Sequence, residues 1–164
     1  MKKSIIYTLI LFLSISIQVN SQIKTQESSM WCWASCIQSA LFQAIVNQSQ
    51  SAIVARLAGY PQNRPANALE VASVLRSYNF SATVVNFPAN PQQLYSTLSS
   101  GWKLIAFVNP SNNPQIGHFI MIQGVAPNGL IIVSDPATGA TYRQSLNDLY
   151  FRWRWSQSVV VGTP

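Results

Sequence analysis

Charge is scarce in this chain. Of its 164 residues only 9% are Asp, Glu, Lys or Arg, against roughly 25% in an average soluble domain. Hydrophobic residues make up 48%, and that excludes disorder, which needs low hydrophobicity and high net charge. There are four acids (Glu27, Glu70, Asp135, Asp148), two cysteines (Cys32, Cys36) and one histidine (His118). A zinc site built on Cys and His would need nearly all of them, at spacings they do not have. Neither a metal nor another cofactor is therefore expected. Any imidazole chemistry falls to His118. The basic residues are scattered, whereas nucleic-acid binders carry a dense basic stripe, so nucleic acid is not an expected partner. The nearest thing to a basic cluster, Arg152-Trp153-Arg154-Trp155, alternates as a strand does. That pattern would turn Phe151, Trp153 and Trp155 to the core and the arginines to water.

A membrane-length apolar run is also missing. Ile5 to Ile17 spans thirteen residues, too short for a bilayer crossing of about 20. Met1-Lys2-Lys3 precedes it and Val19-Asn20-Ser21 follows, the layout of a secretory signal cut after Ser21. Gln22 rather than Cys follows that cut, so no lipid anchor is expected. Residues 1–21 are read as a signal peptide and 22–164 as one domain, destined for the periplasm or the exterior. Removing Lys2 and Lys3 leaves eight basic and four acidic residues, so the net charge falls from +6 to +4.

Within 22–164 the hydrophobic period is helical in the first part and becomes strand-like between and after the helices. Helices are predicted at Trp31–Val46, Ser51–Ala58, Ala68–Tyr78 (Leu69, Ala72 and Leu75 inward) and Pro91–Ser99. Strands are predicted at Ala82–Phe87, Lys103–Asn109, His118–Val125, Leu130–Ser134, Ala140–Gln144 and Trp155–Val161. Pro127-Asn128-Gly129 reads as a hairpin turn, since Asn-Gly tolerates the positive φ such turns require. Helices first and strands later argue an α+β fold, with a helical layer against a mostly antiparallel sheet.

The chemistry concentrates in Gln26-Glu27-Ser28-Ser29-Met30-Trp31-Cys32-Trp33-Ala34-Ser35-Cys36. Cys32 opens a predicted helix, where unpaired N–H groups and the helix dipole favour a thiolate. Gln26, six residues upstream, could donate its amide to an oxyanion forming beside Cys32, together with the Cys32 N–H. The two cysteines at i and i+4 suit a disulfide poorly, and Cys36 flanks the apolar stripe, where a free Cys behaves as a small hydrophobe.

At these residues the chain resembles the papain-like cysteine peptidases. Gln26, Cys32, Trp33 and Ala34 match that family's oxyanion-hole and nucleophile motif, and Gly117-His118-Phe119-Ile120-Met121-Ile122 matches its histidine strand. Ser134-Asp135-Pro136 stands where the family places its third member. The short length is closer to compact bacterial members, including secreted effectors and bacteriocin-leader peptidases. Only Gln22 to Thr25 separate the expected cut from Gln26, so no inhibitory prosegment is expected. The resemblance implies a papain-like fold, with Cys32 on the helical layer and His118 and Asp135 on the sheet. It also implies a secreted peptidase acting on a protein or peptide through Cys32, His118, Asp135 and Gln26.

Two other readings stay open. One is a thiol amidase, deamidase or acyltransferase acting on cell-wall peptide or a target protein, since the triad does not determine the acyl group. The other is a catalytically silent envelope-binding domain using Trp31, Trp102, Trp153 and Trp155. Asp135 is the least secure site residue. A two-residue Asn128-Gly129 turn would set His118 opposite Gly139, on the same face as Asp135 but four residues, roughly 13 Å, from it. A bulge or shifted register would be needed, and Asn109, Asn112 and Asn113 stand in reserve.

Overall fold

Side-chain caps mark where most of the helices begin. The computed structural model describes residues 23–86, 88, 90–111, 113 and 116–162. The expected signal peptide, Phe87 and Asn112 lie outside them. Helix α2 (Gln50–Ala58) starts at Ser49, whose hydroxyl accepts the Ala52 N–H, and ends at Gly59 with φ 83°. Helices α3 (Ala68–Arg76) and α4 (Pro91–Ser99) open on capping boxes, Asn67 with Glu70 and Asn90 with Gln93. Helix α5 (Leu146–Phe151) starts at Ser145, which accepts from the Asp148 N–H. Each such cap contributes about 1 kcal/mol. Helix α1 (Cys32–Gln43) has no side-chain cap.

The strands are β1 (Ser81–Val85), β2 (Lys103–Val108), β3 (His118–Val125), β4 (Ile131–Asp135), β5 (Ala140–Gln144) and β6 (Gln157–Gly162). They form one sheet in the order β1-β6-β2-β3-β4-β5. Every pairing is antiparallel. Helices α1, α2 and α3 cover one face, against Ile105, Phe119, Met121, Val159 and Val161. Leu94 and Leu98 of α4 and Leu149 of α5 cover the other, against Leu104, Ala106, Ile120, Ile122 and Val133. The expected helical layer on an antiparallel sheet is thus present, and a second, smaller layer covers the other face. The reason lies in β2 and β3, where Leu104, Ile105 and Ala106, then Phe119 to Ile122, are buried without a break. Strands apolar on both faces need cover on both.

Two finer expectations are corrected. Leu69 points outward, 67% exposed, while Ala68, Val71, Ala72, Val74 and Leu75 face the core. Residues 152–155 are not a strand. The Ser145 cap starts a helix that carries Phe151 into solvent, 72% exposed, and Arg154 adopts a left-handed φ of 47° that breaks the alternation. Trp155 is nonetheless buried, its indole donating to Gln157 O (3.0 Å) and Ser158 Oγ (3.0 Å).

The two-sided core predicts unequal costs for two leucine truncations. Leu94→Ala, on the α4 face, should destabilise by about 2–5 kcal/mol in urea unfolding, and exposed Leu69→Ala by less than about 0.5 kcal/mol. Equal effects would contradict the cover assigned to α4.

Candidate active site

Cys32 is the first residue of α1, and no acid or polar cap occupies that helix start. The first N–H groups of the helix are thus left for whatever charge develops at the sulfur or its substrate. The residues around Cys32 are held by one loop. The Trp31 indole donates to Gln62 O (2.9 Å), the Trp33 indole to Arg64 O (3.1 Å), and the Met30 N–H to Asn63 Oδ1 (3.0 Å). Arg64 is in turn paired with Glu70 at 2.6 Å, and the other oxygen of that carboxylate takes the Asn67 N–H. Two tryptophans thereby fix the cysteine between them. Sequence reasoning assigned no part to residues 62–64, because their acceptors are mostly backbone carbonyls, which leave no signature in side-chain identity.

His118 opens β3 and Asp135 closes β4, with 2.6 Å between Nε2 and Oδ1. Two one-residue shifts of register bring them together. The hairpin turn has three residues, Pro127 to Gly129, closed by the Ala126 N–H on Leu130 O (2.8 Å), with Gly129 at φ 78°. The pairing then slips again between Ile122 and Gly124, so that Ile122 faces Val133 and Met121 faces Ser134. Continued, this register sets Asp135 beside Ile120, two residues from His118. Such a diagonal pair on adjacent strands is about 7–8 Å apart at the backbone, within side-chain reach. The slip is satisfied locally. Lys103 Nζ donates to Gln123 O (2.8 Å), and the Gln123 side chain donates to Ser134 Oγ, which also meets Thr141 Oγ1 (2.7 Å).

Asp135 Oδ1 also accepts the Ala137 N–H (2.9 Å). The Asp135 carbonyl takes the Gly139 N–H (2.8 Å), and the Gln26 N–H reaches Pro136 O (2.9 Å). The Asn109 side chain bonds within its own loop, Nδ2 donating to Asn113 O at 2.7 Å and Oδ1 accepting from Ser111 Oγ at 3.1 Å. It is the Asp135 carboxylate that meets the histidine. Cys32 stands close enough to His118 to raise the imidazole pKa. With Nε2 taken by Asp135, Nδ1 is the nitrogen left for sulfur.

Cys32, His118, Asp135 and Gln26 line one cleft of about 730 Å³. Its other walls include Met30, Pro65, Phe107, Ile116 and Trp153, all uncharged. Gly117 is required by close packing. A Cβ there would fall 1.9 Å from the Phe107 ring, which packs edge-on to Phe119 at 5.0 Å. Gln26 Nε2 donates to Ser28 O (3.0 Å) and Ser29 O (2.8 Å), while Oε1 is buried without a partner among the described residues. Cys36 is a free, fully buried thiol in the core. Among the described residues no three of His, Cys, Asp and Glu gather where they could hold a metal ion.

The family model described as papain-like cysteine protease AvrRpt2 matches residues 13–152. The chain belongs to that family. No curated protein matches this peptidase by sequence. Its fold is shared with solved peptidase domains. The peptidase domain of Streptococcus ComA, a bifunctional ABC transporter involved in quorum sensing, superposes with a TM-score of 0.68 at 15% identity, over 88% of this chain and 99% of that one. A C39-like peptidase from Bacillus anthracis gives 0.68 at 11% identity, over 88% and 96%. A double-glycine-motif protease from an AMS/PCAT transporter, crystallised with its leader peptide, gives 0.60 at 18% identity, over 88% and 96%.

The electrostatics of this papain-like site follow from its contacts. Burial alone would lower the His118 pKa, but the bond to Asp135, the neighbouring Cys32 thiol and the charge of each outweigh it and raise the imidazole to about 9. Burial alone would raise the Asp135 carboxyl. The His118 bond, the Ala137 N–H and the imidazolium charge together hold it below its ordinary value. Burial pushes the Cys36 thiol well up, with further pushes from Cys32 and Asp135.

These shifts carry a pH dependence of stability. Unfolded histidine titrates near about 6.5, so the His118 contribution is complete below that and is lost as pH rises through about 9. The Asp135 contribution is complete above about pH 3.9 and is lost as pH falls through its lowered value. Asp135→Ala should move the His118 titration, read by NMR, to lower pH. It should also flatten the fall in urea stability between about pH 6.5 and 9. An unchanged imidazole titration would contradict this origin of the shift.

Proposed function

We propose that this peptidase hydrolyses peptide bonds with Cys32 as nucleophile, His118 as proton carrier, Asp135 as its orienting carboxylate and Gln26 as an oxyanion donor. The observation that carries the reading is the meeting in one cleft of Cys32, at an uncapped helix N-terminus, with a His118–Asp135 pair at 2.6 Å. In the first step His118 Nδ1 takes the Cys32 thiol proton, the sulfur adds to the scissile carbonyl carbon, and the C=O electron pair moves to oxygen. The Cys32 backbone N–H and Gln26 Nε2 meet that oxyanion. Collapse breaks the C–N bond as His118 Nδ1–H protonates the leaving amine. His118 then takes a proton from water, which attacks the thioester, and the acid leaves with the thiol restored.

For Gln26 this requires exchanging one bond to the carbonyl of Ser28 or Ser29 for one to the oxyanion. A neutral hydrogen bond is worth about 0.5–1.5 kcal/mol net and one to a charged group about 1.5–3 kcal/mol, so the exchange is favourable once the oxyanion forms. The cleft suits an extended peptide, and the AMS/PCAT neighbour crystallised with a leader peptide supports that reading. Trp31 and Trp155 are buried, so they offer no surface for a purely adhesive role. The basic start and thirteen-residue apolar run of the sequence support export from the cytoplasm.

Cys32→Ala should lower hydrolysis of denatured casein by at least about a thousandfold while leaving the melting temperature within a few degrees. Cleavage of purified peptidoglycan but not of casein would replace peptidase with amidase. Iodoacetamide should label Cys32 and spare buried Cys36, as read by peptide mass spectrometry. Labelling at Cys36 alone would overturn the nucleophile assignment. The uncharged cleft walls predict that a peptide library is cut chiefly between uncharged side chains, with Lys, Arg, Asp and Glu beside the cut disfavoured.

A further inference from the structure

Gln50, the first residue of α2, is fully buried and takes no part in the reaction described above. Both ends of its amide are bonded. Oε1 accepts the Glu27 N–H (2.9 Å), and Nε2 donates to Thr25 O (2.9 Å) and to Gln38 Oε1 (3.1 Å). Gln38 is anchored in turn by donating to Gln48 O at 2.8 Å. The two peptide groups gripped by Gln50 are those on either side of Gln26. The Gln26 N–H itself is held by Pro136 O at 2.9 Å, one residue beyond Asp135. Residues 25–27 belong to no helix or strand. Their path is therefore set by these bonds rather than by a ladder of their own.

A buried amide is a costly way to fill space, since an apolar side chain of similar size leaves nothing to satisfy. What the amide supplies here is location. An oxyanion donor must stand about 2.7–3.1 Å from the oxygen, and a displacement of 1 Å forfeits much of the effect. Gln50 does not line the cleft. We infer that Gln50 is a positioning residue: by clasping both peptide groups that flank Gln26, it holds that amide where the oxyanion forms. This rests on the reading of Gln26 as an oxyanion donor.

Two reagents at Cys32 separate the effects. Iodoacetamide forms the S–C bond at a saturated carbon as iodide leaves, and no oxyanion arises. With p-nitrophenyl acetate the thiolate adds to a carbonyl, the oxyanion forms, and its collapse expels p-nitrophenolate. The rate ratio of acylation to alkylation at Cys32, followed by mass spectrometry, reports the oxyanion hole without any knowledge of the natural substrate. Gln26→Ala should lower the ratio on the order of a hundredfold, and Gln50→Leu about tenfold as part of that same effect. The double variant should fall no further than Gln26→Ala, because residues acting through one group are not additive. If Gln50→Leu fails to fold by circular dichroism, Gln50→Asn carries the test. It keeps an amide but is one methylene too short to hold both peptide groups, and should also lower the ratio.

An unchanged ratio in the folded Gln50 variant, with Gln26→Ala still lowering it, overturns the inference and leaves the Gln26 assignment standing. So does a further full drop in the double variant, or failure of both Gln50 variants to fold. An unchanged ratio in Gln26→Ala overturns the Gln26 assignment itself.

Discussion

The hydrogen bond between His118 and Asp135 rests on a count of residues between two strands. His118 is where β3 starts and Asp135 is where β4 ends. Their separation is whatever the hairpin register makes it. Two single-residue insertions, the third turn residue and the slip at Gln123, draw them to a diagonal pair while keeping both on one face. One insertion alone would have turned the carboxylate to the opposite face, because side chains alternate with a period of two. Lys103 belongs to this device. Its ammonium group satisfies the carbonyl that the slip leaves over, although burial works against its charge.

The cysteine side of the site is held by other means. A bare helix start forgoes about 1 kcal/mol of capping, and α1 compensates through its neighbours. The indoles of Trp31 and Trp33 tie it to the 62–64 loop, and the Ser35 hydroxyl donates to Lys24 O. The segment carrying Gln26 is in turn bonded to α2 through Gln50 and to the Asp135 turn through Pro136. Gly139, at φ 71°, lets that turn approach, since a Cβ there would come within 2.6 Å of Thr25 Oγ1. Cysteine, histidine, carboxylate and glutamine come from four segments: the β3–β4 hairpin joins the histidine and the carboxylate, and hydrogen bonds between loops and helices hold the other two.

Much of this was legible in the chain. Helix α4 and strands β3 and β5 have the boundaries their periodicity predicts, because a Pro after Asn90 and an alternation ending at a turn are local signals. The motif around Cys32 and the lone histidine singled out two residues that the fold brings into one cleft. Less legible was the second helical layer, since α4 offers only Leu94 and Leu98 to the sheet and reads as marginal by itself. Residues 151–155 misled because alternation of aromatic and basic side chains is strand-like, yet the Ser145 cap upstream decides their backbone.

Sequence alone determined which groups are available: a single imidazole, a cysteine at a helix start, a glutamine just before it, and few acids to serve as partner. These are matters of inventory and short-range pattern, set by side-chain identity within a turn or two. Tertiary structure decided which acid meets the imidazole, whether the distance closes, and what holds the glutamine. Those answers depend on register, on a bulge and on backbone carbonyls from residues 62, 64 and 136. Such carbonyls are common to every residue, so their arrangement in space cannot be read from side-chain pattern.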